Sequence, residues 1–163
     1  MHVPSANGNQ YLLTFIDDYT TKMCWVYLLK EKSQVFATFK NFYLWITNET
    51  QLNIGTLRLD NGGEYTSKDL KKNGIKHQTT VPYSPKQNGV AKRMNKTLLN
   101  MVRSMMFFQN VKLMFWGEVV LCAVYIGNQC PFAAINNKSP YEMWYNRLPP
   151  IQHFRVLVLL AFP

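Results

Sequence analysis

Two short apolar runs, Tyr11–Ile16 and residues 23–29, flank a polar stretch of Asp17, Asp18, Tyr19, Thr20, Thr21 and Lys22. Runs of that length on either side of a turn-forming segment read as strands, and the short link makes them a hairpin. Ser33 then offers an N-cap to a helix whose apolar positions Val35, Phe39, Phe42 and Ile46 recur at steps of four and three. Residues 56–59 form an apolar-rich run expected to be a buried strand; it ends on Asp60, and Asn61, Gly62 and Gly63 come next. Residues 75–81 are a further strand candidate, closed by Pro82 and Pro85.

A second helix is expected from Gly89 to about Phe107. Met94, Leu98, Met101 and Met105 repeat at steps of four, three and four, which makes one apolar stripe. At 100° per residue, Lys92, Lys96 and Arg103 fall within about 40° of one another, and Lys92 lies about 160° from Met94. The helix therefore carries an oily seam and, nearly opposite, a basic edge. The methionines are core packing and no cofactor site. An apolar helix over 113–130, a short one near Pro140–Tyr145 and an apolar tail over 156–162 complete the pattern. Gly117 and Glu118 interrupt the run 113–126, which falls short of the ~20 residues a membrane span needs, so it reads as a buried helix. With no repeat and no clear linker, the pattern predicts one α/β domain over 1–163, a mixed sheet flanked by helices.

Composition fits a globular chain, 47% hydrophobic over 163 residues. Eighteen basic against nine acidic side chains give a formal charge of +9. Its distribution says more than the total: from Lys68 to Lys112 there are ten basic residues and one acid, Asp69. The whole excess sits in that segment. A solvated face is the plain reading, but such concentration favours a polyanion-binding surface.

Cys24, Cys122 and Cys130 are odd in number and form no Cys-x-x-Cys pair. That argues against a disulfide framework or zinc knuckle and for a reducing, intracellular setting. His2, His77 and His153 have no ligand-like spacing, and no targeting signal is visible.

Five segments, in order, resemble the catalytic core of Copia-type (Ty1/copia) retrotransposon integrases. Residues 11–27 read YLLTFIDDYTTKMCWVY, like that family's second and third strands. Residues 57–65 read LRLDNGGEY, like the strand and loop of its second catalytic aspartate. Residues 82–98 read PYSPKQNGVAKRMNKTL, like the loop and helix of its catalytic glutamate. The segments FWGEVV and SPYEMWYNRLPP are similar to its trailing helices. The resemblance implies an RNase H-like fold and DNA integration by phosphoryl transfer with Mg2+ or Mn2+. Two aspartates and a glutamate hold the ions there, because paired divalent cations beside a phosphate need several hard anionic ligands.

Carried over by position, that inventory is incomplete. The second aspartate matches Asp60, where a turn aspartate before Asn-Gly is the structural alternative. The glutamate position matches Lys92, in Asn88-Gly89-Val90-Ala91-Lys92-Arg93, at a separation from Asp60 shorter than the family pattern. The first aspartate belongs to a His-Ser-Asp-like strand before a Gly-Pro-Met. Met1-His2-Val3-Pro4 resembles the residues just after that Gly-Pro, so the first strand and its aspartate are expected upstream of Met1. The tail, too, departs from the family's continuation and reads as cut short. Asp17 is the candidate substitute ligand, set against its reading as a hairpin-turn acid.

The resemblance thus implies an integrase core without normal metal binding that keeps a sequence-nonspecific DNA surface at Lys86, Gln87, Asn88, Lys92, Arg93, Lys96 and Arg103. Two alternatives stand beside it. One is an active enzyme in which Asp17 and Asp60 hold a metal and a partner supplies the rest; the other is a protein-interaction remnant with no DNA affinity. Self-association and a nuclear location are what the family implies, and no membrane is.

Overall fold

The computed structural model describes residues 3–18, 23–59, 75–79 and 89–154. The chain divides into two compact units, one of Met1–Leu28 with Ala91–Pro163 and the other of Leu29–Val90.

In the first unit, strands β1 (Tyr11–Ile16) and β2 (Cys24–Leu29) are hydrogen-bonded neighbours, and the Asp17 N–H donates to the Met23 carbonyl at 2.9 Å. This is the pairing that a hairpin requires. Helix α2 spans Gly89–Phe108 and helix α3 spans Trp116–Gln129 behind a 3-10 turn at Leu113–Phe115. Leu98 and Val102 of α2 pack with Val111 and with Trp116, Val119, Val120 and Ala123 of α3, and Leu12 of β1 and Val26 of β2 close on them. Of the methionine stripe, Met101 and Met105 join this cluster, so the seam is core as expected. The N-terminal segment is strapped onto the start of α3. The Trp116 indole N–H donates to the Val3 carbonyl at 3.0 Å, and the Ala6 N–H donates to the Met114 carbonyl at 2.7 Å.

The short helix α4 (Pro140–Tyr145) owes its start to a capping box. The Ser139 Oγ accepts the Glu142 N–H at 3.1 Å while the Glu142 carboxylate accepts the Ser139 N–H at 2.8 Å, and Pro140 needs no donor partner. Those bonds from Ser139 hold the Glu142 carboxyl below its usual range, with Lys138 adding to the effect. Asn146 ends the helix in the left-handed conformation at φ 50°.

In the second unit, helix α1 (Val35–Thr50) buries Val35, Phe39, Phe42 and Ile46, the four positions its spacing predicts. Its start differs from expectation. A 3-10 turn at Lys32–Gln34 precedes it, so Ser33 lies inside that turn and donates its hydroxyl to Glu31 at 2.9 Å. Gln34 is the N-cap of α1 but gives it no side-chain cap bond; its Oε1 accepts instead from the Lys30 and Glu31 N–H groups ahead of the 3-10 turn, at 2.8 and 3.1 Å. A residue already inside a turn lacks the extended backbone from which an N-cap side chain reaches the first helical N–H groups.

Strands β3 (Thr56–Leu59) and β4 (Lys76–Thr79) pair in parallel, Thr56 opposite Lys76 and Leu59 opposite Thr79. A parallel pair needs a crossover connection, and residues 60–74 are outside the described residues. The expectation of a buried β3 is corrected: Thr56 and Arg58 are exposed and Leu57 is half-buried. Among the described residues the pair is a sheet of only two strands, and burial begins beside it, at Ile75 just before β4. The class is α/β, as expected; the described strands form two separate two-stranded sheets.

Candidate nucleic-acid interface

Helix α2 sets the geometry of the basic edge. Lys92, Arg93, Lys96 and Arg103 are all exposed, while Leu98 and Val102 are 4% and 2% exposed. The burial of one face fixes the rotation of the helix and leaves the opposite face, with its lysines and arginines, in water. Lys96 and Arg103 stand about 6 and 16 Å along the axis from Lys92, from a rise of 1.5 Å per residue. The Arg103 Nη1 donates to the Asn100 Oδ1 at 3.3 Å, a contact between side chains three residues apart on one face.

The helix is also fixed to the hairpin by a polar tie. The Thr14 hydroxyl on β1 donates to the Asn95 Oδ1 on α2 at 3.2 Å. Asn95 lies nearly one turn beyond Lys92, so the cation is mounted on the segment of α2 that β1 holds. No acid occupies the first turn of α2. The amino-terminal end of the helix dipole is thus uncompensated by carboxylate there, and Lys92 and Arg93 add to its positive potential.

Asp17 comes directly after β1, half-buried, with its backbone closing the hairpin. Asp60 comes directly after β3 but is outside the described residues, as are Lys86, Gln87 and Asn88. The structure therefore brings Lys92, Arg93, Lys96 and Arg103 together on one helix and says nothing of the other four. Among the described residues, no three of His, Cys, Asp and Glu are grouped as metal ligands, and no helix is long and apolar enough to cross a membrane.

Two functional-looking features are not visible in the sequence pattern. Asn95 is hidden in the polar flank of α2, where only the position of Thr14 reveals its use. Arg147, beyond α4, lies against Tyr141 and Tyr145; the tyrosines four apart, with an arginine close behind, are the available signal.

No family model matches the chain. It is 42% identical over 166 residues, 99% of its length, to the retrovirus-related Pol polyprotein from transposon TNT 1-94 of Nicotiana tabacum. It is 32% identical over 98% of its length to that from transposon RE2 of Arabidopsis thaliana, and 30% over 78% to the truncated transposon Ty1-A Gag-Pol polyprotein of Saccharomyces cerevisiae. The chain spans 12%, 11% and 11% of these relatives, a small part of each. Its fold matches a chain of the simian T-cell lymphotropic virus intasome, solved in complex with PP2A regulatory subunit B56 gamma, at a TM-score of 0.65 and 19% identity, over 88% of this chain and 51% of that one. It also matches the HTLV-2 integrase catalytic core domain in complex with magnesium, in trimeric form, at 0.59 and 16%, over 80% and 82%.

Proposed function

Because the chain belongs to the Copia/Ty1 family of transposon Pol polyproteins and has the RNase H-like fold of retroviral integrase catalytic cores, we propose that it is an integrase core that holds DNA without performing strand transfer. One observation carries this reading: Lys92 is an exposed cation on α2, in line with Lys96 and Arg103, where the family's motif has a carboxylate. Divalent-metal phosphoryl transfer needs oxygen ligands around each ion. A protonated amine has no lone pair to give. At ~4 Å and an effective dielectric of ~20 each unit of like charge costs about 4 kcal/mol before screening, and a divalent ion doubles that. Asp60 and Asp17 with Lys92 are therefore a poor fit for two Mg2+ or Mn2+ ions. When bound, such ions would activate the attacking oxygen and stabilise the leaving one.

The same charges suit a phosphate backbone. Four exposed cations on one helix that carries no acid neutralise phosphates without reading bases. Lys86, Gln87 and Asn88 extend that surface on this reading. The chain meets its DNA in the nucleus, and self-association, as in the trimeric form of the HTLV-2 core, belongs to the same role.

Two measurements test the proposal. Titrating a DNA duplex between 50 and 200 mM salt should give steeply salt-dependent binding, with the logarithmic slope for Lys92→Glu shallower by about 0.9 for each phosphate that the lysine neutralises. Incubation with processed donor ends and Mg2+ or Mn2+ should give no joined product. Strand transfer that Asp60→Asn abolishes would overturn the loss of chemistry, and absence of DNA binding at low salt would overturn the DNA-holding role.

A further inference from the structure

Arg147 is exposed, yet its guanidinium is held in one place. The Nε–H donates to the Tyr141 hydroxyl at 3.1 Å, and the guanidinium carbon lies 5.7 Å from the centroid of the Tyr141 ring and 5.4 Å from that of Tyr145. The two rings themselves lie 4.6 Å apart, one helical turn from each other on α4. Asn146, in the left-handed conformation, turns the chain at the end of α4 so that Arg147 lies against the tyrosines of the helix it has just left. Two further contacts hold α4: the Ser139 capping box and the edge-to-face packing of Trp144 on Trp25, at 5.0 Å.

A free arginine side chain loses much rotamer freedom when it grips a ligand. Here the rings and the tyrosine hydroxyl have already imposed that order, so less is lost on binding. Among the described residues, one of its five N–H donors is engaged, the Nε–H on Tyr141. The nearest acid in sequence, Glu142, gives its carboxylate to the Ser139 N–H at the other end of α4. A planar fork of unengaged donors beside two half-buried aromatic rings has the chemistry of a site for phosphate with an adjoining base: the fork takes phosphate oxygens, while the guanidinium plane and ring edges take the face of an unstacked base.

We propose that Arg147, with Tyr141 and Tyr145, is a second nucleic-acid contact, one that takes a phosphodiester and its neighbouring base from an unpaired strand. It is separate from the edge of α2 and draws on different residues. Duplex DNA satisfies only the phosphate part, because its bases are stacked. The site therefore favours single-stranded ends or flaps, whereas α2 reads any phosphate backbone.

The full chain is titrated with an oligo-thymidine 20-mer and with a 20-base-pair duplex across a salt series. Arg147→Gln should weaken the single strand by about tenfold and lower its salt slope by about 0.7, the value for one phosphate contact on a single strand. Duplex binding should change by no more than about threefold. Tyr145→Leu keeps the charge and should weaken the single strand while leaving its salt slope in place. If α4 fails to form in these variants, the unaltered chain still decides the matter: a 5-bromodeoxyuridine oligonucleotide, irradiated in complex, should crosslink to the peptide carrying Tyr141 and Tyr145. Equal affinity of Arg147→Gln and parent for the single strand, or a crosslink map without that peptide, would reduce the cluster to a clip that closes the helix. Lys96→Ala weakening duplex binding while Arg147→Gln leaves the single strand unchanged would sink this site alone and spare the role of α2.

Discussion

Asn128 on α3 grips the backbone of Cys24 on β2 at both ends: its Oδ1 accepts the Cys24 N–H at 3.0 Å and its Nδ2 donates to the Cys24 carbonyl at 2.8 Å. A side-chain amide thereby stands in for a neighbouring strand at the first residue of β2. The pair joins residues 104 positions apart and locks α3 to the hairpin. Deleting the amide strands one donor and one acceptor on a residue that is 4% exposed. Asn128→Ala should therefore cost about 2 kcal/mol, read as a lower denaturation midpoint in urea at unchanged m-value. Asn128→Asp should cost nearly as much, since a carboxylate accepts but cannot donate.

Two glycines of the same helix have opposite tolerances. A Cβ on Gly127 would meet no atom within 4 Å, whereas one on Gly117 would lie 2.8 Å from Leu28 Cδ1 and 3.4 Å from Ser5 Cβ. Gly127→Ala should stabilise the chain by about 0.5–1 kcal/mol through reduced backbone entropy in the unfolded state. Gly117→Val should instead destabilise by about 1–3 kcal/mol by overpacking the strap against the start of α3. Thermal midpoints moving in opposite directions would check both.

Burial pushes the Cys24 thiol from its ordinary 9.0 up to about 12. Its folded pKa is raised, so its contribution to stability is whole below pH 9 and is lost as pH climbs towards 12. Alkylation of the native chain at about pH 8 should therefore spare Cys24 while modifying the half-buried Cys122 and Cys130. Mass mapping of the labelled peptides reads this directly, and in urea all three should react alike.

Lys96 and Arg103 stand seven residues apart on the exposed edge of α2, about 10 Å along the axis. At that separation their contributions should add. Lys96→Ala and Arg103→Ala should each lower the salt slope of duplex binding by about 0.9, and the double variant by about twice that. Weaker affinity with no change in slope would mean that these residues do not touch phosphate.

What the chain dictates locally, it dictates well. The apolar spacing of α1 and α2 names their buried faces, and the alternation of strand and helix segments names the class, because a helix or strand period is a property of neighbours in sequence. The alignment of Lys92, Lys96 and Arg103 comes from the same arithmetic, so the basic edge of α2 was legible from residues alone. Ser33 is no N-cap because a 3-10 turn that no period announces has already begun at Lys32. Thr56 and Arg58 are exposed because burial of a strand depends on how many layers meet it, which its own four residues do not encode. Asn128 on Cys24, Asn95 under Thr14 and Trp116 on Val3 each join parts of the chain 81 to 113 residues apart. Such bonds exist only once the backbone has been folded into place, and for that reason the tertiary structure alone decided which polar side chains hold the molecule together.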